Sequence, residues 1–159
     1  ADSMMRFYNQ PILWSNQSQL TATHIYMQLS NNKISTMHLL QSAFIINVSD
    51  SLQFNQIRGK DMVGYFLDNK LRKIDVNGNG QTVYYPKNKD DKTIGANRAE
   101  CTDLVIYIDS NQIQSITFIN KPDGTMFPIK DVKPVDFTLK GFKWLIQLQP
   151  KRKDDIYLK

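Results

Sequence analysis

The sequence predicts an all-β domain in which a repeated antiparallel hairpin builds one long sheet, folded over into a jelly-roll-like trough. Three observations predict it. Three segments of the chain align without gaps, each carries an apolar strand ending in a polar turn, and Thr, Ile, Val, Tyr and Phe crowd these runs as strands prefer.

The aligned segments are Leu20–Ile34, Ile57–Leu71 and Ala99–Ile113. Small residues match at Ala22, Gly59 and Cys101, and polar ones at His24, Asp61 and Asp103. Apolar residues match at Ile25, Met62 and Leu104, then at Leu29, Phe66 and Ile108. A polar turn follows, with Asn32, Asn69 and Asn111 in register, and Asn tolerates the left-handed backbone of a tight hairpin. Each chain then resumes as a strand, with apolar positions Ile34, Met37 and Leu39, then Leu71, Ile74 and Val76, then Ile113, Ile116 and Phe118. The first step of three in each return implies a bulge or a twist near the turn, after which period-two alternation takes over.

The copies are 37 and 42 residues apart, so each period holds one hairpin plus a return segment. The returns are expected to hold strands of their own at Ala43–Val48, Gln81–Tyr85 and Thr125–Pro128. Asn77–Gly80 (NGNG) and Lys121–Gly124 (KPDG) read as turns that set them apart, and Lys87–Lys92 as a polar loop tip. A hairpin with one apolar face cannot bury it alone, so successive hairpins stack into a continuous apolar surface. The inward row is expected to comprise Ile25, Met27, Leu29, Met37, Leu39, Met62, Phe66, Ile74, Val76, Leu104, Ile106, Ile108, Ile116 and Phe118, with Gly64 leaving local space. An aliphatic, methionine-bearing lining suits flexible acyl chains. The same pattern also suits a closed core, and pattern alone favours that.

Composition bounds the remaining choices. The chain has 159 residues, 41% hydrophobic and 22% charged, enough for one domain with a real core. Its net charge of +5 favours anionic partners without choosing among phosphate, nucleic acid and lipid head groups. The lone Cys101 cannot form an intrachain disulfide. No stretch approaches the roughly 20 apolar residues of a membrane-spanning helix, and the first residues do not read as a signal peptide, as expected of a mature or excised chain.

The repeat, together with Phe54–Met62 (FNQIRGKDM), Asp75–Pro86 (DVNGNGQTVYYP), Ile119–Gly124 (INKPDG) and Leu139–Trp144 (LKGFKW), resembles the OstA/LptA family of lipopolysaccharide transport proteins, and most closely its OstA-like branch of Bacteroidetes type. The similarity spans residues 10–144. The resemblance implies an open, V-shaped β-jelly roll (a β-taco) in the periplasm or in an outer-membrane assembly. It implies non-catalytic transfer of lipopolysaccharide along an apolar groove that shields its lipid A acyl chains. It further implies stacking onto other β-jelly-roll transport proteins, or head-to-tail onto copies of itself, through edge strands. The domain is expected to cover residues 1–145, with 146–159 a basic tail or the start of a following segment.

Chemistry beyond binding is sparse. His24 and His38 lack partners at metal-ligand spacing. Cys101 reads as a small buried side chain, and Asp61 and Asp103 as a repeated structural position rather than an acid-base pair. No cofactor, metal, catalytic residue or nucleic-acid partner is expected, and an enzyme is the least supported class. Two rivals remain. One is a structural module that assembles through its edges without lipid. The other is a nucleic-acid-binding barrel, which would use Phe142, Trp144 and the basic run Lys151–Lys153.

Overall fold

The structure is a computed structural model and describes residues 3–15, 17–50, 52–110 and 112–152. The turn residue Asn111 and the tail 153–159 lie outside the described residues. Ten strands form one antiparallel sheet: β1 Ser3–Phe7, β2 Ile12–Ser15, β3 Ser18–Thr21, β4 His24–Ser30, β5 Lys33–Asp50, β6 Gln53–Leu67, β7 Lys70–Tyr84, β8 Gly95–Asp109, β9 Gln112–Ile119 and β10 Asp123–Pro128. The fold class is as expected: all-β, antiparallel, open and folded over. Three short 3-10 turns, Ile129–Asp131, Pro134–Asp136 and Ile146–Leu148, punctuate the C-terminal segment.

Strands β4 and β3 lie end to end along β5, pairing with its first and second halves, and β10 and β9 do the same along β8. Likewise β1 pairs with β4, and β2 with β3. The sheet therefore consists of long rails that all cross one transverse line. On that line the pairing slips, between Leu40 and Ala43, Arg58 and Asp61, and Asn77 and Gly80. Left-handed pairs mark it at Asn9–Gln10, Gln41–Ser42, Gly78–Asn79 and Asn120–Lys121. Bulges of this kind bend a sheet sharply, and here they align into a crease.

This corrects three expectations. Asn77–Gly80 is no chain reversal but the crease inside β7, and Ala43–Val48 and Gln81–Tyr85 continue β5 and β7 rather than forming separate strands. The Lys121–Gly124 turn is likewise replaced by a left-handed step at Asn120–Lys121 between collinear β9 and β10. Asn and Gly supply positive φ equally to a hairpin turn and to a bulge; the pairing partner decides which forms.

The first two hairpin turns appear as read, with Asn32 and Asn69 left-handed, and the third hairpin is closed by the pair Asp109–Gln112. Of the bulge or twist expected there, a bulge forms in each copy, the pairing slipping one residue pair from the turn, at Gln28/Leu29, Tyr65/Phe66 and Tyr107/Ile108. Neighbouring turns touch: Lys33 pairs with Asp68 at 2.7 Å, the Ile34 N–H donates to Asn69 Oδ1 at 2.9 Å, and Arg72 pairs with Asp109 at 3.0 Å. Lys33 thereby holds the exposed Asp68 carboxyl below its ordinary pKa.

Candidate apolar groove

The crease folds the sheet into two wings, and the inner faces of both form one apolar cluster. In β5, Met37 and Ile45 are eight residues apart, about 26 Å in a straight strand. Yet both line the same small void with Leu20, Phe66 and Leu71. The strand is therefore doubled back on itself. The repeat-bearing wing contributes the row Phe7, Ile25, Leu39, Met62, Val76 and Leu104, then the row of Met27, Met37, Ile74 and Ile106. The opposite wing contributes Leu20, Ile45 and Ile57, with Ala22, Ala43 and Cys101 nearest the crease.

Of the fourteen expected lining residues, thirteen join this interior. Ile25, Met27, Met37, Leu39, Met62, Ile74, Val76, Leu104 and Ile106 are buried, while Phe66, Ile108, Ile116 and Phe118 are half-buried. Leu29 differs: it stands at the β1–β4 edge, lining an open depression of about 310 Å³ with Ser3, Met4, Gln28, Ser30 and Ser35. The space expected at Gly64 is largely taken, because a Cβ there would meet Leu71 Cδ1 at 3.1 Å. The remaining void is about 10 Å³, no more than one water requires.

The repeated polar slot sits on the crease. Asp61 Oδ1 accepts the Gln41 N–H at 2.8 Å, and Asp103 Oδ1 accepts the Gly78 N–H at 2.9 Å. Each carboxylate thus satisfies a donor that the bulge removes from the ladder. In the first copy His24 takes the slot, its ring edge against Tyr8, and its buried Nδ1 finds no partner among the described residues. His38 stacks on Tyr26 with ring centroids 4.2 Å apart. No three His, Cys, Asp or Glu side chains gather into a metal-binding group among the described residues. Cys101 is buried; burial, helped by the Asp103 charge, raises its thiol pKa against a lowering hydrogen bond from the Ile119 backbone.

Burial lowers the His38 pKa below its ordinary 6.5. The unfolded chain then binds more protons just below pH 6.5, so His38 favours the folded state above that value and less so as pH falls through it. We expect thermal melts from about pH 8 to about pH 5 to show wild type losing more stability on acidification than His38→Asn. A difference between the two that stays constant with pH would refute this.

Sequence reasoning missed the opposite wing and its second layer. In β5, Phe44 and Ile46 alternate with Ala43 and Ile45, and both sets are buried. A continuous apolar run of this kind signals a strand covered on both faces. The cover is the C-terminal segment, which packs Val132, Phe137, Leu139, Phe142 and Trp144 onto Phe44, Ile46, Phe54, Val83 and Tyr85. Two buried glutamines clamp it. Gln56 Nε2 donates to the Phe137 carbonyl and Gln56 Oε1 accepts the Leu139 N–H, both at 2.8 Å. Gln19 does the same to the Lys143 carbonyl and Leu145 N–H, also at 2.8 Å.

Fold and site together define a folded-over, open β-sheet protein with an apolar interior. Comparison of the chain with family models, curated proteins and solved structures gave no match.

Proposed function

We propose that this chain is an OstA/LptA-type carrier that holds the acyl chains of a lipopolysaccharide-type glycolipid between its wings, outside the cytoplasm, and hands it on without catalysis. The observation that carries the proposal is the single aliphatic and methionine-bearing face shared by both wings of an unclosed sheet. Chemistry along that face supports it. On the covered wing the inner face turns polar beyond Ile57, where Asn47 pairs with Asn55 and Tyr84 with Asn97. Acyl chains would lie on the crease side and a sugar-phosphate head at the asparagine row. Each methylene enclosed contributes about 0.8 kcal/mol. The free edges at β1–β2 and β9–β10 offer backbone for strand addition by other β domains.

The filled interior sets one requirement: lipid enters only when the wings part about the crease, exchanging Phe66, Leu71 and Ile108 contacts for hydrocarbon. That same filling favours a second reading, an assembly module that uses its edges alone. Native mass spectrometry with lipopolysaccharide separates the two. We expect a lipid adduct with wild type that is lost in Phe66→Asp and Ile108→Asp, whose half-buried sites accept a carboxylate with less disruption than fully buried Ile106. A folded wild type without adduct leaves the assembly module.

A further inference from the structure

The C-terminal strap sorts its side chains by face. Phe137 and Leu139 are buried, and Phe142 and Trp144 half-buried, all against the sheet. Lys130, Lys133, Lys140 and Lys143 are exposed on the other side. None of these four makes an ion pair among the described residues. Across residues 129–152 six Lys and Arg stand against two Asp, Asp131 and Asp136, a local net charge of +4 in a chain of +5. Large aliphatic side chains flank the lysines in the open: Val135 is 78% exposed near one end, and Ile146 and Leu148 are 48% and 54% exposed at the other. The strap crosses the covered wing from β10 to β2, six strand spacings or about 29 Å.

We propose that this outer face of the strap docks on an anionic lipid bilayer, with the lysines at the head groups and Val135, Ile146 and Leu148 seated shallowly among the acyl chains. Charge and apolar exposure together favour a bilayer. A basic surface flanked by aliphatic side chains is the composition of an interfacial anchor. Single-stranded nucleic acid would need outward aromatics to stack on, and the strap turns its own aromatics inward. The site lies on the opposite side of the covered wing from the apolar interior and does not depend on what that interior holds.

Vesicle flotation of the full chain tests it. Vesicles of equal parts phosphatidylcholine and phosphatidylglycerol are expected to carry the protein, and pure phosphatidylcholine vesicles to leave it behind. Changing Lys130, Lys133, Lys140 and Lys143 to glutamine should weaken partitioning about fivefold per lysine at low salt. Val135→Asp with Leu148→Asp should weaken it again while leaving the four lysines in place. All these positions are exposed, so circular dichroism should report an unchanged fold. The glutamine variant should still form the lipopolysaccharide adduct in native mass spectrometry, which keeps this proposal separate from the groove. Flotation that is absent in wild type, equal on both vesicles, or undiminished in the glutamine variant overturns it. So does retention on an oligonucleotide by a wild type that ignores both vesicles.

Discussion

Gln56→Leu is expected to destabilise the protein by about 2–6 kcal/mol and to release the strap, because it orphans two buried backbone groups at about 1–3 kcal/mol each. The amide of Gln56, 2% exposed, supplies the hydrogen bonds of the Phe137 carbonyl and the Leu139 N–H, and leucine of similar size supplies neither. The chain can recover those bonds from water only by lifting the strap, which uncovers Phe44, Ile46 and Val83. Tryptophan emission reads this directly. The chain has two tryptophans, and Trp14 and Trp144 meet edge to face at 5.4 Å under the strap's far end. A lower melting temperature with red-shifted emission is the expected result. An unchanged spectrum and melt would mean that the glutamine clamp is dispensable.

The second large effect lies at the crease. A Cβ added at Gly59 would sit 2.3 Å from Val76 Cγ1, and Val76 is fully buried and stiff at χ1. Gly59→Ala therefore forces Val76 or the two strands apart, at about 1–3 kcal/mol for overpacking. Val76→Ala alone opens a cavity and is also destabilising. In the double variant the new methyl occupies the space that valine vacated. We expect it to be more stable than the sum of the single changes predicts, by at least about 1 kcal/mol in urea unfolding. Strictly additive losses would show that the close approach at Gly59 does not hold the crease shut.

The hairpins were legible because the repeat writes the same chemistry three times. Even the bulge beside each turn follows from the three-residue step at Ile34–Met37, Leu71–Ile74 and Ile113–Ile116. The inward row was legible for the same reason, since period two survives on one wing. What escaped was the crease. Its residues were visible as slots, the small Ala22, Gly59 and Cys101 beside the polar His24, Asp61 and Asp103. A sequence does not say, however, whether NGNG ends a strand or bends it. That depends on the register of β6 and β8 alongside. The strap escaped because its grip is long-range: Gln56 and Leu139 are 83 residues apart, and a glutamine inside a strand carries no local sign of what it will hold.

Because β5, β6, β7 and β8 each run unbroken through both wings, neither wing is one contiguous stretch of sequence. Cutting the gene between them is impossible, and no truncation yields one wing as a freestanding piece. Such a protein can change size only sideways, by gaining or losing whole hairpins at its margins, so length variation among its kin should come in multiples of the roughly forty-residue repeat.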